Sequence, residues 1–147
     1  MSSYKSSWVT KASKNKKPWG DETSWSGGYA STVKTLFLLK GKRNSFKINK
    51  TKDEMLICGS GKIKAYFGNE ELTTLGVGEI KCETLLPGNA LVVQSGCPYR
   101  LEAVENSVIL EISSNSNSDI IRLHDDYGRA TVSVNSKLDK IIKDLWS

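Results

Sequence analysis

Short runs rich in β-branched and aromatic residues recur along residues 32–112, with a glycine-containing turn between most of them. Apolar and polar residues alternate within the runs, which is the pattern of strands with one buried face. The spacing of about ten residues, without intervening helical patterns, is typical of an antiparallel sandwich or barrel. The predicted strands are Thr32–Leu39, Ser45–Asn49, Glu54–Cys58, Lys62–Phe67, Ile80–Thr84, Ala90–Gln94, Arg100–Val104 and Val108–Ile112.

The alternation is most informative around Lys47 and Asn49. These two residues share one face of their strand, while Phe46 and Ile48 share the other. Glu54 opens the next strand, so pairing of the two strands would place all three polar residues together. The pattern therefore predicts a polar cluster at one end of the β-structure.

The last eleven residues before the terminal serine follow a helical pattern instead. Their apolar positions fall on one face, formed by Leu138, Ile141, Ile142 and Leu145. Ser136 is predicted to cap this helix, with Asp139 three positions on. We expect the helix to pack on the barrel or on a second subunit. Upstream, Trp25–Tyr29 predicts a hairpin connection.

Composition and charge divide the chain into three parts. A length of 147 residues suits one domain, and the net charge of +5 lies in the first 18 residues, which hold five lysines and no acid. We assign residues 1–16 to a basic Ser/Lys-rich N-terminal extension with little regular structure. Residues 17–134 form the predicted barrel, and residues 135–147 the C-terminal helix.

Several functional classes are disfavoured by the same features. No apolar run is long enough for a membrane span, and the N-terminus lacks the apolar core of a secretory signal, so we expect a cytoplasmic protein. The basic charge outside the folded part argues against a nucleic-acid partner. The cysteines Cys58, Cys82 and Cys97 have no metal-ligand spacing and are predicted to be reduced, buried thiols.

Two end motifs, with two internal stretches between them, carry a resemblance to a known family. The motif KPWGDE at Lys17–Glu22 and the motif DIIRLHDDYGR at Asp119–Arg129 resemble the two ends of the cupin domain of type II mannose-6-phosphate isomerases, which is also the C-terminal part of mannose-1-phosphate guanylyltransferases. The two cupin motifs would lie around Ser45–Gly61 and Pro87–Glu102. The resemblance implies a cupin double-stranded β-helix, a jelly-roll barrel, followed by one C-terminal α-helix.

The resemblance also shows how this chain departs from the family. The positions of the family's Gln-x-His-x-His-x-x-Glu motif are Lys47, Asn49, Thr51 and Glu54, and the histidine of its second motif falls on Tyr99. Only the carboxylate is retained, and an ammonium would repel a cation. We therefore expect a degenerate metal site with no metal and no other cofactor.

The remaining site residues follow from the same comparison. The resemblance places Arg122 and Arg129 near the substrate, where Arg129 would grip an anion and Asp126 would hold another side chain in place. Asn49 and Tyr99 are further candidate substrate-binding residues. Lys47 and Glu54, the two candidate catalytic residues, are predicted to form an internal charge pair where the family binds its metal.

Three functions are compatible with these residues. The first is a single-domain cupin that binds a sugar, a sugar phosphate or a similar small polar metabolite without a metal. The second is an active sugar-phosphate isomerase or epimerase in which Glu54 is the base and Lys47 or Arg129 polarises the carbonyl group. The third is a structural or interaction module without catalysis. We expect a homodimer, because Tyr4, Trp8 and Trp146 are large apolar groups that a lone barrel need not bury.

Overall fold

The computed structural model describes residues 4–25, 31–114, 117–130 and 134–146. Within these ranges the chain forms strands and two short helices. The strands are β1 Ser13–Lys17, β2 Gly20–Trp25, β3 Ser31–Leu38, β4 Phe46–Asn49, β5 Glu54–Ser60, β6 Ile63–Phe67, β7 Lys81–Leu85, β8 Ala90–Val93, β9 Tyr99–Ala103, β10 Ser107–Ser114 and β11 Ile120–His124, and the helices are α1 Glu70–Leu75 and α2 Ser136–Trp146.

The strands form two antiparallel sheets. Sheet A has the order β1-β2-β3-β10-β5-β8, and sheet B has the order β11-β4-β9-β6-β7. Consecutive strands such as β4 and β5 lie in different sheets, so the chain crosses repeatedly between the two layers. This arrangement confirms the predicted all-β jelly-roll barrel, and each predicted strand lies within a few residues of an observed one.

The core lies between the sheets and is filled by alternate residues of each strand. Sheet A contributes residues such as Leu38, Leu56 and Ile109, and sheet B contributes residues such as Ile63 and Leu101, all of them fully buried. Burying a side chain of this size stabilises the fold by roughly 1.5–3 kcal/mol. The period-two alternation thus produces the apolar core between the two sheets.

The two helices form a third layer on the outer side of sheet B. A second apolar cluster there joins Phe46 of β4, Leu72 of α1, and Leu138 and Ile142 of α2. Phe46 and Ile48 therefore face away from the barrel interior, as the alternation predicts. Their strand is covered on one side by the helix layer and lines the barrel on the other.

The ends of helix α2 differ from the prediction in two ways. Asn135 is the capping residue, because its side-chain Oδ1 accepts the backbone N–H of Leu138 at 2.8 Å, and Ser136 is already helical. Leu145 is 45% exposed, while Trp146 packs against the second apolar cluster. The buried stripe follows the four-residue spacing from Leu138 through Ile142 to Trp146.

Strands β1 and β2 and helix α1 are among the elements that were not predicted. Strand β1 starts at Ser13, inside the segment for which the sequence predicts little regular structure, and pairs along its whole length with β2. Its residues are mostly polar because it is an exposed edge strand. Helix α1 is too short to show a helical period. It ends at Gly76, whose φ of 67° is the left-handed conformation that favours glycine.

Three further predictions concern a hairpin connection, the cysteines and a membrane span. The predicted hairpin connection at 25–29 lies, after Trp25, outside the described residues. The three thiols are free as expected, but only Cys58 is buried, whereas Cys82 is exposed and Cys97 is partly exposed. No helix among the described residues is long and apolar enough to cross a membrane.

Candidate functional site

A polar cavity of about 140 Å³ opens at one end of the barrel. Strands of both sheets and the segment after β11 contribute to its wall. Its charged lining residues are Lys17, Glu22, Lys34, Lys47, Lys52, Glu54, Glu111, Arg122 and Arg129, and its other lining residues are Trp19, Leu36, Asn44, Ser45, Asn49, Ser118 and Ile120. The site residues predicted from the sequence, except Tyr99, therefore line one cavity.

The cavity exists because charged residues occupy core-facing positions at one end of several strands. Lys34 shares the inner face of β3 with Leu36 and Leu38, which are both buried. Glu54 shares the inner face of β5 with Leu56 in the same way. The barrel interior is consequently apolar at one end and charged at the other.

An ion-pair chain forms the wall next to strand β2. Lys34 Nζ lies 2.7 Å from Glu22 Oε1, and Lys17 Nζ lies 3.5 Å from Glu22 Oε2. Burial alone would lower the pKa of Lys34, but its hydrogen bond to Glu22 and the nearby carboxylates hold that pKa above the ordinary value. Lys34 is therefore a fully protonated, fixed cation.

Trp19 anchors the same wall through the chain turn at Gly20. The tryptophan is 5% exposed and belongs to the main core. Gly20 has a φ of 153°, and a Cβ atom there would lie 1.8 Å from the carbonyl oxygen of Phe37. Only glycine allows β2 to approach β3 this closely, so the Pro-Trp-Gly motif serves to seat the tryptophan beneath the cavity.

Glu54, Tyr99 and Lys47 form the centre of the site. The Tyr99 hydroxyl donates a hydrogen bond of 2.8 Å to Glu54 Oε2, and both residues are buried. Lys47 pairs with Tyr99 across β4 and β9, and its Nζ lies 4.8 Å from the centre of the Tyr99 ring. Burial raises the pKa of Tyr99 well above its ordinary value, so the phenol remains a donor.

The predicted direct charge pair between Lys47 and Glu54 is not formed. Among the described residues, no carboxylate oxygen lies within 4.0 Å of Lys47 Nζ. The reason is the strand register, which sets Lys47 opposite Tyr99 and leaves the tyrosine hydroxyl as the partner of Glu54. Desolvation lowers the pKa of Lys47 to about 8, although Glu54 and Glu111 act in the opposite direction.

Glu111 is a further carboxylate in this cavity. It lies opposite Lys34 on β3 and opposite Leu56 on β5. Desolvation and the charge of Glu54 raise the pKa of Glu111 to about 7, against the effect of Lys34 and Lys47. The cavity thus holds a carboxyl group and an amine that both titrate near neutral pH.

The positions at which the family binds its metal do not fit a cation here. Asn49 Oδ1 accepts hydrogen bonds from the Thr51 backbone N–H at 3.1 Å and from the Thr51 hydroxyl at 3.2 Å. The Thr51 hydroxyl also hydrogen bonds to the carbonyl oxygen of Asn117. Glu54 is engaged by Tyr99, and Lys47 adds a positive charge. Within the ranges described, no three His, Cys, Asp or Glu side chains are close enough to hold a metal ion.

Arg129 and Asp125 form a clamp at the rim of the cavity. Arg129 donates from Nε at 3.1 Å to one carboxylate oxygen of Asp125 and from Nη2 at 3.0 Å to the other. Burial would raise the pKa of Asp125, but the hydrogen bonds from Arg129 hold it below its ordinary value. Arg129 also lines the cavity, as does Arg122, which lies opposite Lys47.

Asp126 holds another side chain, as the resemblance implies, and that side chain is Arg43. Arg43 Nε donates to one oxygen of Asp126 at 2.6 Å, and Arg43 Nη2 donates to the other at 2.8 Å. Mainly through this hydrogen bonding, Arg43 lowers the pKa of the Asp126 carboxyl group. Arg43 does not line the cavity, so the two adjacent aspartates fix one arginine at the site and one away from it.

Arg100 is buried on the outer side of sheet B, outside the cavity. Its Nε donates to the carbonyl oxygen of Asn44 at 2.9 Å, and its Nη1 lies 3.1 Å from His124 Nδ1. The Trp146 ring covers its guanidinium at 4.5 Å. Burial, followed by the charge of Arg43, lowers the pKa of Arg100 to about 10. The lone histidine therefore serves the packing of helix α2 and does not reach the candidate site.

Sequence reasoning missed Lys34, Glu111, Glu22 and Lys52 as cavity residues. The sequence did contain a signal for two of them, because the alternation puts Lys34 and Glu111 on the same strand face as buried apolar residues. A charged residue in phase with core positions marks a polar end of a barrel. Glu22 and Lys52 carry no such local signal.

Comparison with known proteins identifies the fold. Similar solved structures include KdgF from Halomonas sp. (TM-score 0.59, 12% identity, 73% of this chain and 89% of that chain), a variant of oxalate decarboxylase from Bacillus subtilis (TM-score 0.65, 15% identity, 76% and 30%), and the capsular polysaccharide assembling protein CapF from Staphylococcus aureus (TM-score 0.57, 15% identity, 88% and 33%). These are cupin-fold proteins, so this chain is similar to cupins in fold. The chain spans most of KdgF but about a third of the other two. No protein-family model and no curated protein sequence matches it.

Proposed function

We propose that the protein binds a small anionic metabolite, of the class of sugar phosphates, inside the barrel without a metal ion. One observation carries this proposal. Six cationic side chains and three carboxylates line the cavity, which leaves an excess of three positive charges when all are ionised. An enclosed cationic site attracts anions strongly because the surrounding protein screens charge less than water does.

The size and polarity of the cavity support a small ligand. Its volume of about 140 Å³ is below the roughly 300 Å³ at which sites for drug-sized molecules begin. Asn44, Ser45 and Asn49 also line the cavity. Hydroxyl and amide groups of this kind suit the hydroxyl groups of a sugar, while the arginines suit its phosphate.

Isothermal titration calorimetry with mannose 6-phosphate, mannose and inorganic phosphate tests the proposal. We expect saturable binding of mannose 6-phosphate that weakens as salt is raised, and at least tenfold weaker binding of mannose. Equal affinity for mannose and mannose 6-phosphate, or no saturable binding of either, would show the proposal to be wrong. The second result would favour a structural or interaction module.

A second function, an active isomerase or epimerase, is favoured by Glu111 and Lys47. Their pKa values of about 7 and about 8 suit proton transfer at neutral pH. Interconversion of mannose 6-phosphate and fructose 6-phosphate, lost on replacement of Glu111 by glutamine, would support this function. Binding without turnover would leave the first function alone.

A further inference from the structure

We propose that Lys47 is a nucleophilic lysine that forms a covalent imine with an anionic carbonyl compound, an aldehyde or ketone bearing a phosphate or carboxylate group. The inference rests on the proposed function, because the cationic cavity is what would bring such a compound to the lysine. It goes beyond that function by assigning a covalent step and the atom that performs it.

Two lysines of the cavity, Lys34 and Lys47, differ in their partners. Lys34 is held by Glu22 at 2.7 Å and is therefore a paired ammonium. Among the described residues, Lys47 Nζ makes no hydrogen bond and has no carboxylate oxygen within 4.0 Å, and it lies 4.8 Å from the centre of the Tyr99 ring. A desolvated amine without a carboxylate partner is the form in which lysine acts as a nucleophile.

The charges around Lys47 support the same assignment. The groups that shift its pKa are Arg122 of β11, Arg129 beyond it, Glu54 of β5 and Glu111 of β10. The other charged residues that line the same cavity are Lys17, Glu22, Lys34 and Lys52. Tyr99 of β9 contributes a ring face and a protonated hydroxyl. Desolvation, together with Arg122 and Arg129, outweighs the carboxylates and lowers the pKa of Lys47 to about 8. A substantial fraction of the amine is then unprotonated in the physiological range.

The arginines provide a place for the anionic group of the ligand. Arg122 lies opposite Lys47 in the pairing of β11 with β4, and both line the cavity. Arg129 lines the same wall with its position fixed by Asp125. A ligand whose phosphate or carboxylate contacts these arginines would hold a carbonyl group a few bonds away close to Lys47 Nζ.

The covalent step needs no oxidant or reductant. The lone pair of Lys47 Nζ attacks the carbonyl carbon, the electrons of the carbonyl π bond move to oxygen, and a proton moves from nitrogen to that oxygen to give a carbinolamine. Glu111 then donates a proton to the hydroxyl group, the carbon–oxygen bond breaks, and water leaves. The products are a protonated imine on Lys47, a Glu111 carboxylate and one water molecule.

Reductive trapping of the full chain tests the assignment. The protein is incubated with dihydroxyacetone phosphate, with pyruvate or with dihydroxyacetone, reduced with sodium cyanoborohydride, and mapped by peptide mass spectrometry. We expect the adduct on Lys47 to exceed that on Lys34 at least tenfold. The phosphate or carboxylate probe should label at least fivefold more than dihydroxyacetone. Labelling should rise with pH and reach half its maximum near pH 8.

Matched variants keep the test specific. Lys47→Arg retains the cation but cannot form an imine, so the adduct at this position should disappear. Lys140→Arg changes an exposed lysine outside the cavity and should leave labelling of Lys47 unchanged. Circular dichroism of both variants checks that the barrel is intact.

The outcomes separate this inference from the proposed function. If mannose 6-phosphate binds but Lys47 is labelled no faster than exposed lysines such as Lys140, the imine is wrong and the proposed function stands. If dihydroxyacetone labels Lys47 as well as its phosphate does, the imine stands and anion recognition is wrong. Absence of both binding and labelling overturns both.

Discussion

At the scale of single residues, the site is governed by which charges have partners. Arg129, Arg43 and Lys34 are each fixed by a carboxylate, whereas Lys47 and Glu111 face the cavity without a direct ion pair among the described residues. A paired cation is a positioned binding group, and an unpaired, desolvated group has a shifted pKa. Replacing a paired cation is therefore tested by ligand affinity, and replacing an unpaired group by the pH dependence of stability.

Arg129→Lys should weaken binding of mannose 6-phosphate by roughly 1–3 kcal/mol, because the planar guanidinium that is held by Asp125 and lines the cavity is lost. Calorimetry measures the change. Arg43→Lys is the matched control, since Arg43 holds Asp126 in the same bidentate way but does not line the cavity. If both variants lose stability and neither loses affinity, the motif around Arg129 is only a structural clasp.

Glu111→Gln should stabilise the protein at pH 8 and have little effect at pH 5. The pKa of Glu111 is about 7 in the folded state, above the ordinary carboxyl value, so the folded state binds more protons between about pH 4.3 and pH 7. This group's contribution to stability is therefore present at low pH and is lost as pH rises through 7. The expected gain at pH 8 is on the order of 1–3 kcal/mol.

Urea unfolding at the two pH values measures this effect. Glu105→Gln is the control, because Glu105 is exposed and should change stability equally little at both. A destabilisation by Glu111→Gln at pH 8 would mean that the carboxylate is held by favourable contacts with Lys34 or Lys47 that outweigh its desolvation.

At the scale of elements, helix α2 completes the outer side of sheet B. The Trp146 ring packs on Phe46 at 4.9 Å, stacks on His124 at 5.6 Å and covers Arg100 at 4.5 Å. A buried guanidinium is costly unless it is hydrogen-bonded and covered. The last turn of this helix thus makes a buried Arg100 tolerable.

Trp146→Ala should lower the free energy of unfolding by roughly 2–4 kcal/mol, somewhat less than for a fully buried tryptophan. The pKa of His124 should rise at the same time, since burial is the main reason for its lowered value. Denaturant unfolding and NMR titration of the histidine measure the two effects. Leu145→Ala, on the exposed side of the same turn, should change neither; an unaltered histidine pKa in Trp146→Ala would contradict the assigned contact.

At the scale of the whole molecule, an apolar row crosses the outer face of sheet A. Successive strand registers place its residues side by side, namely Trp25, Val33, Ile112, Met55 and Val92. All but Ile112 are at least 36% exposed. The row carries no charge, so a second copy related by a two-fold axis could pack on it without like-charge repulsion. Trp146, by contrast, is occupied within its own chain and is not available to a partner.

We propose a homodimer formed through this row, and light scattering at micromolar concentration should give twice the monomer mass. Met55→Lys with Val92→Lys should give a monomer, since two desolvated ammonium groups would face the partner. Leu75→Lys changes a residue that is 58% exposed on helix α1 and should leave the dimer intact. A monomer mass for the unmodified protein would exclude the dimer.

The sequence by itself determined the strands, the last helix and the polar character of Lys47, Asn49 and Glu54. These features depend on local periodicity, which short stretches of consecutive residues are enough to show. Period-two alternation shows which residues of one strand lie on the same face. It does not show which residue of a neighbouring strand lies opposite each of them.

Only the tertiary structure decided the pairing and the charge of the cavity. The register of β4 with β9 sets Lys47 over Tyr99 and away from direct contact with Glu54. Sheet order brings Lys34 and Glu111 to the same wall from positions 77 residues apart in the sequence. The excess positive charge of the cavity comes from residues on strands that are far apart in the sequence. Their side chains share one low-dielectric space only after the chain has folded.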